Sequence, residues 1–263
     1  MSTDASNGTT AAGPGRQVEL FVKAGKNGES YGACPVCQRF FMILLTKADY
    51  DPSMSLIVTT VNMAKPPDHF KGTVNRLPVL NYDAEMISDQ DEMVQIVDRQ
   101  FRYPPMAYDN VAAALACRDV FQKFSFYIKD VSQSPDALLA ELRKLNDYLH
   151  ECPHRFLCRD IPDHLDCLML PKLQHVRVAA RAFKNFEFPV HLRALWRYLA
   201  TAYATPAFRE SCPSDQEIVY HWQTKPECPA LSKELQQYYS PEGQPPRHSF
   251  GVPKELEDLV HAG

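Results

Sequence analysis

Two different spacings of apolar residues divide this 263-residue chain near residue 100. From Gln17 to Ile87 the apolar positions form short runs of strand character. Val18-Glu19-Leu20-Phe21-Val22-Lys23 predicts one strand. The β-branched run Leu56-Ile57-Val58-Thr59-Thr60-Val61 predicts a second, buried in the sheet interior. Val79–Tyr82 and Glu85–Ile87, separated by Asp83-Ala84, predict a hairpin. Between the first two strands, Cys37–Lys47 carries Phe40, Phe41, Leu44 and Leu45 on one side and predicts a helix. Ser88, followed three residues on by Asp91, resembles a capping box. It predicts a second helix with the stripe Met93, Ile96, Val97 and Phe101. The order is β-α-β, then β-β-α.

Phe101-Arg102-Tyr103-Pro104-Pro105 interrupts this pattern, because neither a helix interior nor a central strand tolerates adjacent prolines. Helical spacing then takes over. Val111, Leu115, Phe121, Phe124 and Ile128 predict one long amphipathic stretch. Ser134-Pro135 starts another helix, backed by Leu138, Leu142, Leu145 and Leu149. Asp163-x-x-Asp166 precedes Leu168, Met169, Leu173 and Val176. Pro189 opens a helix carrying Leu192, Leu195, Trp196, Leu199 and Tyr203, and the last predicted element starts at Ser214-Asp215. Trp196, Tyr203 and Phe208 are expected in the core. The expected organisation is a flexible tail (1–16), an α/β unit (17–101), a linker (102–109), an all-helical unit (110–238) and a Pro/Gly-rich, loosely held tail (239–263).

Composition narrows the functional classes. Hydrophobic content of 45% and charged content of 23% are those of a soluble globular protein. A formal net charge of -4 argues against a nucleic-acid binder. Eight cysteines are too sparse for a secreted disulfide scaffold. Residues 1–16 lack the apolar stretch of a signal peptide, so a cytoplasmic location with reduced cysteines is expected.

Cys34-Pro35-Val36-Cys37 is the motif that carries chemistry. It follows a strand and a glycine-bearing loop and opens a helix. A helix N-terminus offers unpaired N–H groups and a partial positive charge, which favour a thiolate. Pro35 suits the first turn, where its missing N–H costs nothing. The spacing lets the second sulfur reach the first, so Cys34 is the candidate nucleophile and Cys37 the resolving thiol. Half of a zinc site is the competing reading, but no second C-x-x-C exists. Cys152, His154, Cys158, His164 and Cys167 crowd together without a close Cys pair and read better as core and surface thiols, so no metal is expected. Arg177, Arg181 and Lys184 read as a solvated helix face.

A thioredoxin-like unit followed by an all-helical one is the cytosolic glutathione transferase architecture. Within it, several strings resemble the chloride intracellular channel family. They are residues 17–25, Cys34 to Met42, Leu77-Pro78, Leu170-Pro171-Lys172-Leu173, Trp196-Arg197-Tyr198-Leu199 and Ser211-Cys212-Pro213. The resemblance spans about residues 17–222, and invertebrate members of the family often carry C-x-x-C. It implies an omega-class-like fold, a soluble monomer, and a fraction that moves to membranes and associates with lipid under some conditions. It further implies that Cys34 forms a mixed disulfide with glutathione, that the Leu77–Pro78 bond is cis, and that Lys23 and Asp89 lie near the carboxylate and γ-glutamyl ends of glutathione. The family also uses Asp163 and Asp166 as a buried N-capping box, worth about 1–2 kcal/mol. This chain departs from the family pattern at Gln90, where a small hydroxyl residue is usual. It also lacks the acidic loop of vertebrate members, which Leu149–His154 replaces.

Three functions are compatible with these features: a soluble protein that inserts into membranes and conducts chloride, a glutathione-dependent thiol-disulfide oxidoreductase acting on glutathione or protein thiols, and a scaffold with neither activity. Elementary energetics bear on the first. A spanning helix needs about 20 mostly apolar residues, whereas Cys34–Val61, the stretch the family is thought to insert, contains Arg39, Lys47, Asp49 and Asp51. Each central charge costs about 2.5–3.5 kcal/mol, and each Leu, Ile, Phe or Val returns only about 0.3–0.6. The soluble state is therefore expected to dominate at neutral pH under reducing conditions.

Overall fold

The structure, a computed structural model, describes residues 16–72 and 74–259. Alternation of Val18, Leu20 and Val22 on one face and Phe21 on the other makes β1 (Arg16–Lys23) a strand buried on both sides. β2 (Met54–Val61) pairs parallel to it, with Val18 opposite Leu56. β3 (Val79–Tyr82) pairs antiparallel on its other side, and β4 (Glu85–Ile87) follows through a turn in which Asp83 and Ala84 both have positive φ. The sheet order is β2-β1-β3-β4. The expected interior position of Ile57-Val58 is therefore corrected: β2 is an edge strand, and Ile57 is 41% exposed. A β-branched run suits any pleated surface and does not distinguish an edge from a centre.

Helix α1 (Pro35–Tyr50) crosses from β1 to β2. Its turns are buried almost all round, with Gln38, Phe40, Met42, Ile43, Leu44 and Lys47 inaccessible, because the sheet covers one side and helix α6 the other. Helix α2 (Gln90–Gln100) follows β4. Its N-cap is Asp89 rather than Ser88: the Asp89 Oδ1 accepts from the N–H groups of Asp91 and Glu92, both at 3.0 Å. The capping signal was displaced by one residue because Ser and Asp are adjacent and both are good caps.

Beyond the prolines the described residues are helical, with no strand between 110 and 220. The single stretch expected over 111–128 is two helices, α3 (Val111–Cys117) and α4 (Val120–Ile128), broken at Arg118-Asp119. Val111 and Leu115 consequently do not join the core; they are 69% and 51% exposed. α5 (Asp136–Glu151), α6 (His164–Lys184), α7 (Arg193–Ala204), α8 (Pro206–Ser211) and α9 (Asp215–Gln223) complete the bundle around α6. α7 starts at Arg193, four residues after Pro189. Trp196 and Phe208 are buried and Tyr203 half-buried.

A further helix, α10 (Lys233–Tyr238), was not expected, and neither was the order that follows it. Residues 239–259 pack along α6, α7 and α9 instead of hanging free. The Asp215 N–H donates to the Arg247 carbonyl (2.8 Å), the Arg247 N–H to Gln216 Oε1 (2.9 Å), and the Ser249 N–H to Asp215 Oδ2 (3.1 Å). Phe250 stacks on Tyr203 with centroids 3.9 Å apart, and Leu256 is buried. Partners from the α9 N-terminus satisfy the segment's backbone, so its Pro/Gly content does not leave it loose. Residues 1–15 and 260–263 of the expected tails lie outside the described residues. The arrangement is a thioredoxin-like α/β unit followed by an all-helical one.

Candidate active site

The loop that leaves β1 is tied back on itself before α1 begins. Gly32 N–H donates to the Lys23 carbonyl (2.9 Å) and Gly25 N–H to the Ser30 carbonyl (2.6 Å). A Cβ on Gly32 would lie 2.4 Å from the Ala24 carbonyl oxygen, so this approach requires glycine. From the helical unit, buried Glu217 on α9 receives the Lys26 N–H with both carboxylate oxygens, at 3.1 and 3.2 Å. The loop is therefore fixed from both sides, and it delivers Cys34 to the N-cap of α1 in extended conformation, with Pro35 in the first turn.

Cys34 is half-buried and Cys37, one turn on, is fully buried. The Cys37 sulfur accepts from the Lys23 N–H at 3.4 Å, and its own S–H points to Cys34. That S–H is the first reason the Cys34 thiol falls to about 6. Burial opposes the shift, while the N–H groups of Cys37 and Val36 and the charge of Lys23 reinforce it. No cap hydrogen bond closes on the Cys34 sulfur, so those N–H groups act through their dipoles. Burial, and then the neighbouring Cys34, drive Cys37 well up. Burial also raises the thiols of Cys117, Cys158, Cys167, Cys212 and Cys228. Among the described cysteines with a displaced thiol, Cys34 is the one that moves down. It is poised as a thiolate beside a neutral thiol.

Cys34 opens onto a cavity of about 490 Å³, bordered by Lys23, Lys26, Asn62, Leu77, Tyr220 and Thr224 among others. The Leu77–Pro78 bond is cis, as is Tyr103–Pro104. The structure thus brings Lys23, Cys34 and Leu77 to one cavity with Cys37 and Pro78 directly behind. Asp89 is not on its wall: its Oδ1 caps α2 and its Oδ2 lies 3.9 Å from Arg76. Gln90, the departure from the family pattern, accepts from Arg39 Nη1 at 3.3 Å. Glu217, Tyr220 and Thr224 went unnoticed in the sequence. Their spacing puts them on one face of α9, but nothing local says that this face meets the Cys34 loop.

Asp163 and Asp166 form the reciprocal capping box of α6. Asp163 Oδ1 accepts from the N–H groups of Leu165 (2.8 Å) and Asp166 (3.2 Å), and Asp166 Oδ2 accepts from the Asp163 N–H (3.0 Å). Asp166 Oδ1 also receives the Leu157 N–H (3.0 Å) and the Tyr198 hydroxyl (2.7 Å). Among the described residues no group of three or more His, Cys, Asp or Glu side chains is placed to hold a metal ion. The basic face expected to be solvated is so at Arg181, which is exposed, while Arg177 and Lys184 are partly covered by neighbouring segments. Arg177 donates to the Ser249 carbonyl and the Tyr203 hydroxyl, Lys184 pairs with Asp130, and Arg181 with Glu187. No helix among the described residues is long and apolar enough to cross a membrane.

Comparison with known proteins agrees with this geometry. Residues 16–105, which hold the sheet, α1 and the thiol pair, match the CLIC-like N-terminal domain. Over 218 residues the chain is 36% identical to chloride intracellular channel exl-1 of Caenorhabditis elegans, covering 81% of this chain and 90% of that protein. The crystal structure of the C. elegans CLIC homologue EXC-4 superposes with a TM-score of 0.82 at 22% identity, covering 96% of this chain and 95% of that one. The omega-class glutathione transferase 2C of Trametes versicolor shares the fold more distantly, with a TM-score of 0.55 at 16% identity over 79% of this chain and 98% of that one. The thiol-bearing α/β unit, the all-helical unit packed on it and the length of the match together make this chain a member of the chloride intracellular channel family.

Proposed function

We propose that this protein is a soluble, monomeric thiol-redox member of its family, with Cys34 as nucleophile, Cys37 as resolving thiol and glutathione as partner. The reading rests on one observation above the others: a Cys34 thiol lowered to about 6 by the Cys37 S–H, on the rim of a cavity it shares with Lys23 and Leu77. Near neutral pH such a thiol is largely ionised, and the thiolate is the attacking species. It attacks one sulfur of a mixed disulfide. The Cys34–sulfur bond forms, the disulfide bond breaks, and the departing thiolate takes a proton from water. Free glutathione then attacks the glutathione sulfur of the Cys34 mixed disulfide, forming glutathione disulfide and releasing the Cys34 thiolate. On the other route the Cys37 thiol gives up its proton, attacks the Cys34 sulfur, expels the second thiolate and leaves a Cys34–Cys37 disulfide, which two glutathione molecules reduce. The ammonium groups of Lys23 and Lys26 offer charge to glutathione carboxylates, and the backbone of Leu77 offers a peptide-like edge. We assign no glutathione contact to Asp89 beyond its cap, and we place the linker between the two units at residues 102–109.

The test is a glutathione-coupled reduction assay on a low-molecular-weight mixed disulfide. Cys34→Ser abolishes turnover, while Cys37→Ser retains the glutathione-dependent route. Equal activity of wild type and Cys34→Ser would overturn the assignment.

The relatives' name, chloride intracellular channel, supports a second activity: membrane association from a cytoplasmic pool, with anion conduction. Lys47, buried and coordinated, must leave its site before Cys34–Val61 can enter lipid. Protonating Asp98, and the aspartates within the segment, eases that release, so vesicle partitioning should rise as the pH falls from 7 toward 4, and Asp49→Asn with Asp51→Asn should flatten the rise. Binding as strong at pH 7 as at pH 4 would count against it, and planar-bilayer recording on the purified protein tests conduction directly.

A further inference from the structure

A groove of about 530 Å³ runs between α3 and α6, away from the Cys34 cavity, and its size is that of a small-molecule site. Val111, Ala114 and Leu115 on α3 face Leu165, Leu168 and Met169 on α6 across it. Two of these, Val111 and Leu115, are the large apolar side chains that the break after Cys117 leaves exposed to water. The two helices run in the same direction here. The His164 N–H donates to the Met106 carbonyl (3.0 Å) at the end where both begin, and Lys172 Nζ lies 5.9 Å from the Phe121 ring at the other.

This parallel course gives the groove a charge polarity. Asp109 borders it at the start of α3, whereas Lys172 borders it at the far end beside Arg118, which already pairs with Asp119 (3.2 Å). Leu165 and Lys172 are seven residues apart, so the apolar strip between the two ends is about 10 Å long. Lys172 is half-buried, and among the described residues no carboxylate lies within ion-pair distance of it. Arg39 on α1 stands near enough to repel it, and it too has no carboxylate partner: it donates only to Gln90, and its Nε is buried with no acceptor. Burial, followed by Arg39, lowers the proton affinity of Lys172. Arg39 has the Asp91 carboxylate in its field, whereas Lys172 is partly desolvated beside a like charge with no counter-ion, an expensive arrangement that an anion relieves.

We infer that this groove binds a single-chain amphiphilic carboxylate, with its tail along the apolar strip between α3 and α6 and its carboxylate at Lys172. The occupant follows from the two ends. A neutral apolar molecule leaves Lys172 without a counter-ion, and a small anion leaves Val111 and Leu115 in water. The site does not depend on the Cys34 thiol.

The experiment is displacement of dansyl-labelled undecanoate from the full-length protein, without vesicles and below micelle-forming concentrations. Dodecanoate, dodecanol and acetate are the competitors. Dodecanoate should displace the probe roughly ten- to a hundredfold more strongly than dodecanol, as a charge-assisted hydrogen bond is worth. Acetate should not displace it. Lys172→Met should bring dodecanoate down to the level of dodecanol. Leu115→Glu, at an exposed position that leaves the fold intact by circular dichroism, should weaken the probe itself at least tenfold. Cys34→Ser should bind as wild type. Dodecanol matching dodecanoate on the wild type would overturn the charged end of the site, and wild-type affinity in Leu115→Glu would overturn its location.

Discussion

Lys47 and Asp98 form an ion pair of 2.8 Å in which the lysine is completely buried. The ammonium also donates to the carbonyls of Phe101 (2.7 Å) and Pro104 (2.9 Å), and the second Asp98 oxygen lies 2.7 Å from His164 Nε2. One side chain of α1 thereby holds the end of α2, the linker and, through Asp98, the start of α6. A buried charge left without its partner typically costs about 3–5 kcal/mol. Lys47→Met leaves Asp98 partly in water and still paired with His164, so it should destabilise the protein by less than that, about 1–3 kcal/mol, measured as a lower urea midpoint at pH 7. A midpoint within about 0.5 kcal/mol of wild type would show that the network is not holding the two units together.

The thiol assignment makes a prediction independent of any substrate. Cys34 alkylation should rise with pH through a midpoint near 6, ahead of every other cysteine in peptide mass spectrometry. Cys37→Ala removes the S–H donor and should move that midpoint up by roughly 1–2 pH units, the equivalent of one charge-assisted hydrogen bond. An unchanged midpoint would mean that the dipoles of the first turn and Lys23 suffice without Cys37.

Acid should loosen the protein through its buried imidazoles before the Lys47–Asp98 pair gives way. His175 and His221 pack at right angles with centroids 5.3 Å apart, and His175 Nδ1 accepts from the Trp222 indole N–H at 3.1 Å. Burial holds both imidazoles neutral, His221 down to about 3. Their folded-state affinity for protons is depressed, so their contribution is complete above about pH 6.5 and is lost as the pH falls toward 3. At pH 5 the loss from His221 is about 2 kcal/mol. Burial raises Asp98, but its contacts with His164 and Lys47 outweigh this and hold it low, so that pair fails only below about pH 4. Urea midpoints at pH 7 and pH 5 should differ in the wild type, and His221→Gln should shrink the difference. Equal slopes in the two proteins would exclude His221 as the source.

The capping box offers a comparison of two adjacent carboxylates. Asp163→Ala removes the cap of α6 and should cost about 1–2 kcal/mol. Asp166→Ala should cost more, because it strands three buried donors, the N–H groups of Asp163 and Leu157 and the Tyr198 hydroxyl. The reverse order in thermal or urea unfolding would show that the cap outweighs the network behind it.

Much of this protein is legible in short-range signals. Alternation in Val18–Lys23, the Asp83-Ala84 turn, Pro35 in a first turn and Asp163-x-x-Asp166 each act within a few residues, so the elements and the Cys34 motif follow from local chemistry. The positions that defeated this reading depend on neighbours far away in sequence. Ile57 is at an edge because, among the described residues, no strand pairs beyond β2. Val111 and Leu115 face water because the chain breaks after Cys117. Residues 239–259 are ordered because Asp215 and Gln216, some 30 residues earlier, supply their hydrogen-bond partners. Lys47, a liability in any linear account of Cys34–Val61, is neutralised by Asp98 and met by the carbonyls of Phe101 at the end of α2 and Pro104 in the linker. Periodicity and capping report which face of an element is apolar. Which element covers that face, and which charge meets which, is set by packing across the chain, and Glu217, Tyr220 and Thr224 reach the Cys34 loop only through that packing.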